Sequence, residues 1–283
     1  MSSYPILYNI NEIKFGKITN NREILDLFNI VFNKTFDEDI LEWFAACPTG
    51  KNIWYGAFEK DEPVGLYGLL PIKISIDDIV YLGALCNNVG IIPAFQGKGL
   101  FQSLGKYALN DSNFPIVLGV PNLKSIKGHK RIGWKSYGLL ELLSGSVNAK
   151  KIESVEYERF QYFGSSERKN LFVVKDFDFI KWRYSKPNTV YKQTSLKNNR
   201  YVIWKEYIGK IQILETNDFE MIFELAGTVD IWQFGGSFES EALKKRGFTS
   251  VMSNEFIVYN NNNVLIDNSV DLIEFQLGDN DVF

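Results

Sequence analysis

The sequence is poor in the residues that build metal-held or covalent frameworks. It has two cysteines, Cys47 and Cys86, and one histidine, His129, in 283 residues. Neither cysteine has metal-ligand spacing, and with a single histidine no Cys/His zinc site or other metal site is expected. Reduced thiols in a cytoplasmic protein are the direct reading. No apolar run is long enough for a membrane span. The first residues, Met-Ser-Ser-Tyr-Pro-Ile, show no basic region followed by an apolar stretch, so no secretory leader is expected. A strong charge of one sign is also missing, and the net charge of −3 argues against general nucleic-acid binding.

What the chain has is apolar bulk. It is 45% hydrophobic and 15% aromatic, enough for a large core or for two domains. Its organising stretch is residues 80 to 109. An apolar run from Ile79 to Ile92 reads as a buried strand, and Pro93 ends it. Gln96-Gly97-Lys98-Gly99 forms a short glycine-rich turn, after which Leu100, Leu104, Tyr107 and Ala108 recur at helical spacing. A strand, a glycine turn and a helix start leave outward-facing N–H groups that bind phosphate with the help of the helix dipole. Residues 96 to 135 add Lys98, Lys106, Lys124, Lys127, Lys130, Arg131 and Lys135 against one acid, Asp111. Such a local positive field suits a phosphate ligand.

This stretch resembles motif A of the GNAT superfamily of acyl-CoA-dependent N-acyltransferases. In that motif an apolar residue, any residue and Pro lead to Gln/Arg-x-x-Gly-x-Gly/Ala at the helix start. Here Ile91-Ile92-Pro93 precedes the turn, Gln96 and Gly99 fit, and Phe101 departs from the usual small residue. A second block extends the likeness, with Asn122, Ser125, Gly133 and Trp134 at the family's positions and His129 at the position of the usual tyrosine acid. The resemblance implies an α/β (α+β) mixed sheet and acyl-CoA, as acetyl-CoA or a longer thioester, as co-substrate. It implies a cofactor site at Val89, Gly90, Ile91, Gln96, Gly97, Lys98, Gly99, Leu100, Phe101 and Asn122. A backbone bulge at Gly90 is expected to supply the N–H donor for the tetrahedral oxyanion. His129, with an ordinary pKa near neutrality, is the candidate proton-transfer group. Asn87 and Asn88 are polar residues in an apolar strand and need partners. Asn88 is assigned to the catalytic group and Asn87 to the acceptor.

Around this core the pattern gives strands over 4–9 and 12–17 and helices after Asn20 and after Thr35 or Asp37. Strands follow over 53–58, 64–76 and 115–120, with a helix over 125–131 and a strand over 139–147 that closes the domain. Beyond 150, Phe177 to Tyr184 is aromatic and amphipathic. Strands are expected over 190–196, 200–205, 209–214, 231–234, 251–259 and 264–275, with helices on Phe219, Ile222, Phe223 and Ala226 and over 239–246. Arg131-Ile132-Gly133-Trp134 returns as Lys245-Arg246-Gly247-Phe248, a shift of 114. Under that shift His129 meets Leu243 and Gln96 meets Lys210. The reading is two tandem GNAT-like domains, 1–148 binding acyl-CoA and 149–283 degenerate and serving the acceptor site.

The block Asp176 to Tyr184 and the ending Gly278-Asp279-Asn280-Asp281 resemble acyltransferases of bacterial surface-polysaccharide pathways, which implies a nucleotide-linked amino sugar as acceptor. A Fem-type aminoacyl transferase and a non-enzymatic coenzyme A-binding protein are the alternatives. Acyl length, sugar, nucleotide and oligomeric state stay open.

Overall fold

The structure is a computed structural model that describes residues 12–33, 35–148, 155–156, 169–196 and 199–280. The strand expected over 4–9 lies outside them. The first half opens with β1 (Ile13–Lys17), α1 (Asn21–Phe32) and α2 (Glu38–Ala45). Asn20 starts α1 by accepting from the Arg22 N–H at 2.9 Å, which satisfies one of the helix's free donors. Three long antiparallel strands follow, β2 (Ile53–Glu59), β3 (Glu62–Ile76) and β4 (Ile79–Ile91). Lys60-Asp61 and Asp77-Asp78 connect them, all four at positive φ as two-residue hairpins of right-handed twist require. The strand β3 reads as nearly continuous apolar sequence because both its faces are covered. Leu66 and Leu70 join the core under α1 and α2, whereas Tyr67 and Leu69 join a second core. That second core contains Leu104 and Ala108 of α3 (Leu100–Ser112).

The chain continues through β5 (Ile116–Gly119), α4 (Ile126–Arg131) and β6 (Lys135–Asn148). The second half holds β7 (Val155–Glu156), β8 (Leu171–Val173), α5 (Phe177–Arg183), β9 (Lys192–Ser195), β10 (Tyr201–Tyr207) and β11 (Lys210–Thr216). A 3₁₀ turn at Phe219–Glu224 leads to β12 (Ala226–Phe234), α6 (Phe238–Lys245) and β13 (Thr249–Asn260). The short β14 (Ile273–Glu274) and α7 (Leu277–Asn280) finish the described chain.

One mixed sheet of 14 strands runs through both halves, in the order β1-β2-β3-β4-β5-β13-β6-β12-β11-β10-β9-β7, with β8 and β14 off that path. The order is palindromic about the β13–β6 pair, and the parallel pairs β4–β5 and β11–β12 occupy equivalent places. The strand expected to close the first domain does form, as β6, but it does not lie beside β5. Its antiparallel neighbours are β12 and β13, while β13 takes the place beside β5. Each half is thus edged by a strand from the other.

Three sequence expectations change. The 114-residue shift carries β5, α4 and β6 onto β12, α6 and β13, but it fails upstream. Lys210 opens β11, the counterpart of β4, so the place equivalent to the glycine turn is Asn217-Asp218. It still has no glycine. The helix expected around Phe219 is a six-residue 3₁₀ turn, closed by Leu225 N–H on Ile222 O, and Ala226 already belongs to β12. The strand expected over 264–275 shrinks to β14. The Ser269 N–H turns onto Asp267 Oδ1 at 2.7 Å and the Val264 N–H onto Asn260 Oδ1 at 3.0 Å, and these local bonds replace a ladder.

The aromatic block at 177–184 does bury itself. Trp182 stacks on Trp43 of α2 with ring centroids 4.6 Å apart, and each indole N–H donates to the other's backbone carbonyl, at 2.9 and 2.6 Å. This clasp joins α2 and α5 in one core that spans both halves. A fragment ending at Asn148 would leave β5 without an antiparallel neighbour and β6 without either of its own. It is expected to be insoluble or to lack cooperative unfolding by urea. A soluble fragment with a sharp unfolding transition would show that the halves fold independently.

Candidate active site

The parallel ladder between β4 and β5 is only two residue pairs long, Ala84–Val117 and Leu85–Leu118. Beyond it the ladder partner of Gly119 is Ile257 of β13. The two strands part, and a cleft opens between them. On its β4 side the ladder to β3 slips by one residue: Leu66 faces Gly90 and Gly68 faces Asn87. Tyr67 therefore opposes both Asn88 and Val89, a bulge centred on Asn88 at φ 46. The irregularity was expected at Gly90. That glycine answers a different need, since a Cβ there would lie 2.1 Å from Val31 Cγ1 of α1.

After β4 a 3₁₀ turn at Pro93–Phe95 reverses the chain, and Gln96 locks it by donating Nε2 to Ile91 O at 2.8 Å. Gly97 and Gly99 both have φ +76, and Gly99 caps α3. A Cβ at either would meet nothing within 4 Å, so both glycines border open space at the helix start. That space is a cleft of about 680 Å³. Its lining includes Val89, Gly90, Ile91, Gln96, Gly97, Gly99, Leu100, Phe101 and Asn122, with Lys124, Lys127 and Arg131 on the facing side. The donor-rich turn, the three cations and the unfilled cradle fit a pyrophosphate-bearing thioester. Lys98 is the exception among the expected cofactor residues. It is not part of the lining, and its Nζ bonds Ala94 O above the Phe95 ring. Phe101, the departure from the family pattern, turns toward α4, where a Cβ on Gly128 would come within 2.6 Å of its ring. Asn122 spends its Oδ1 on the N–H groups of Lys124 and Ser125, both at 3.0 Å, and so organises the start of α4.

A smaller cavity of about 150 Å³ adjoins the cleft and shares Phe32, Val89, Asn122 and Ser125 with it. Its walls bring together Asn87, Asn88 and His129, and the second half contributes Ile257 and Asn280. His129 is 3% exposed, set among Phe101, Trp134 and Tyr67, with the Tyr67 hydroxyl 3.5 Å from Nδ1. Burial makes the charged imidazolium costly and pulls the pKa down to about 4. The near-neutral titration expected of His129 is therefore overturned, and the ring is a neutral hydrogen-bonding group across ordinary pH.

Sequence reasoning missed the wall supplied by α1. Val31 and Phe32 end this helix and line the cleft, and nothing in its apolar spacing marks which end meets a ligand. Ile257 depends on strand exchange and Asn280 on the placement of α7, and neither leaves a local signal.

Residues 12–136 match the family model of the acetyltransferase (GNAT) domain. That match spans under half of the chain, and it supports an acyl-CoA-dependent N-acyltransferase. No curated protein matches the sequence. Solved structures share its fold at low identity. A GCN5-related N-acetyltransferase from Kribbella flavida is 13% identical with a TM-score of 0.62, covering 88% of this chain and 72% of its own. A conserved protein of unknown function from Enterococcus faecalis V583, described as a probable N-acyltransferase, is 11% identical with a TM-score of 0.63 over the same shares. Saccharomyces cerevisiae N-myristoyltransferase with bound myristoyl-CoA is 9% identical with a TM-score of 0.59, covering 96% of this chain and 85% of its own. Among the described residues, no helix is long and apolar enough to cross a membrane.

The depressed pKa of His129 has a stability consequence. Between pH 6.5 and about 4 the unfolded chain binds a proton that the folded chain refuses, so this contribution is whole above pH 6.5 and is lost as pH falls through 4. The difference is about 3 kcal/mol at most. Urea unfolding of wild type and His129→Gln from pH 7 to pH 4 should show the variant losing less stability on acidification. Parallel losses would place the histidine in a solvated setting.

Proposed function

We propose that the enzyme moves an acyl group from a coenzyme A thioester to the amine of a nucleotide-linked amino sugar by direct attack in a ternary complex. The observation that carries this reading is the join between the cleft at the glycine turn and the polar cavity at the bulge. The pyrophosphate lies against Gly97, Gly99 and the start of α3, with Lys124, Lys127 and Arg131 supplying positive charge. The pantetheine arm follows Val89 to Ile91, and the thioester reaches the bulge. There a backbone N–H freed from the ladder stabilises the oxyanion. The neutral amine attacks the thioester carbon, the C–N bond forms, the C–S bond breaks, and the amine proton passes to the leaving thiolate or to water. His129 assists as a neutral hydrogen-bonding group.

The second half is read as a degenerate repeat of the first. The palindromic strand order and the absence of a glycine turn at Asn217-Asp218 support that reading. Its contribution is the acceptor wall, through Ile257 and Asn280. The amino-sugar acceptor rests on the family resemblance of the Asp176–Tyr184 block and the C-terminal Gly-Asp-Asn segment. These two pieces meet in the fold, where Arg183 Nε donates to Gly278 O.

Gly99→Glu, which sets bulk and negative charge in the open cradle, should weaken coenzyme A binding by at least about tenfold in calorimetry while the protein stays folded. Wild-type affinity in that variant would remove the cofactor assignment. Thiol release from acetyl-CoA should rise with one or more members of a panel of nucleotide-linked amino sugars. Turnover with aminoacyl-tRNA instead, or with no amine at all, would reject the acceptor class.

A further inference from the structure

The polar side of the small cavity is the end of a chain of three side-chain amides. Asn52 donates Nδ2 to Ile53 O at 3.4 Å. Asn87 donates Nδ2 to Asn52 Oδ1 at 2.8 Å and to Leu85 O at 3.3 Å. Asn88 donates Nδ2 to Asn87 Oδ1 at 3.1 Å. The direction of this chain is set by the two backbone carbonyls, which can only accept. Turning the amides round would aim Asn52 Oδ1 at Ile53 O and Asn87 Oδ1 at Leu85 O, oxygen against oxygen. With nitrogen held toward the carbonyls, each amide shows its oxygen to the next, and the last free atom is an acceptor.

That atom is Asn88 Oδ1. Asn88 is 3% exposed, it lines the cavity, and its buried Oδ1 has no hydrogen-bond partner among the described residues. A buried acceptor left unpaired is costly, and native structures resolve such groups with a ligand or an ordered water. The reacting end of a thioester cannot help, because its carbonyl oxygen and sulfur are acceptors, and an oxyanion would be repelled. The donor at the reacting end is the N–H of the incoming amine.

We propose that Asn88 Oδ1 accepts an N–H of the acceptor's primary amine and turns the nitrogen lone pair toward the thioester carbon, with Asn87 and Asn52 as positioning residues that fix the direction of the amide chain. This rests on reading the cleft as the acyl-CoA side and the cavity as the amine side. Asn88 takes no proton in the reaction, and its hydrogen bond only orients the nucleophile. The bulge is what makes the arrangement available: at φ 46 it places two consecutive asparagines, Asn87 and Asn88, within reach of each other. Asn52, just before β2, is the far anchor, 35 residues from Asn87 in sequence.

The test uses the full-length protein saturated with coenzyme A, carrying ¹³C and ¹⁵N in asparagine, with methylamine as the probe and tetramethylammonium, which has no N–H, as its control. Methylamine should shift Asn88 ¹³Cγ in a saturable way, and tetramethylammonium should not. Asn52→Leu should weaken the methylamine response at least tenfold with coenzyme A affinity unchanged. Asn52→Asp, whose carboxyl keeps the oxygen that Asn87 needs and, protonated against Ile53 O, keeps the donor as well, should respond within about threefold of wild type. Asn52→Ser, too short to reach Asn87, replaces the leucine variant if that one does not fold. The proposal is overturned if methylamine leaves Asn88 unshifted because water alone fills the site, or if Asn52→Leu and Asn52→Ser respond as wild type does. It is equally overturned if Asn52→Asp fails alongside them. Failure of wild type to bind coenzyme A would instead overturn the reading of the cleft, and with it this one.

Discussion

The exchange of β6 and β13 is the constraint from which the rest of the architecture follows. Because β13 supplies the antiparallel neighbour of β5, the first half cannot complete its sheet from its own residues. Because β6 does the same for β12, the debt is mutual. Pairing at such sequence separation carries a large closure cost, which only extensive burial can offset. The structure supplies that burial as one core under α1, α2, α5 and α7 that runs across the junction. The Trp43–Trp182 clasp sits inside it, with its two buried indole N–H groups answered by backbone carbonyls.

The exchange also frames the site. β13 holds one edge of β5 over four residue pairs, while on the other edge the parallel ladder to β4 spans only two, and the strand ends diverge. The gap receives the glycine turn on one side and the start of α4 on the other. The bulge at Asn88 then turns a strand that would otherwise present alternating apolar side chains into one with two adjacent amides at the gap. Gly90 lets α1 come close enough for Val31 and Phe32 to roof the cleft. Sheet pairing, bulge and close helix approach are therefore not separate features of the site.

How far the sequence could be read follows from how local each signal is. The strand, glycine turn and helix at 79–112 are written in adjacent residues, with a continuous apolar run giving way to helical spacing, and they form as expected. The glycine turn that borders the cleft was legible for the same reason. What failed was non-local or environmental. Leu139 to Val147 has the pattern of a strand, but nothing in that pattern names its neighbours. His129 sits among lysines in sequence, and only the folded chain shows it enclosed by Phe101, Trp134 and Tyr67. The apolar residues Val264, Leu265 and Ile266 resemble a strand, yet Asn260 and Asp267 capture the backbone beside them.

The C-terminal end shows how a half without a phosphate turn reaches the cavity of the other half. Lys175 is buried between Asp279 at 3.1 Å and Glu215 at 3.5 Å, with Glu274 at 3.9 Å. Burial of this acidic group pushes the Asp279 carboxyl up to about 6 despite the lysine beside it. Such clusters contribute little net stability compared with apolar packing, but removing one partner strands the others, so they fix geometry. The geometry fixed here is that of α7. Asp279 Oδ2 accepts from the Gln276 N–H, and Gly278 is wedged where a Cβ would meet Tyr184 Oη and Leu214 O. Asn280, which follows Asp279, stands on the wall of the small cavity. The buried charges of the second half thus hold a short stretch of chain against the cavity, and β13 does the same with Ile257.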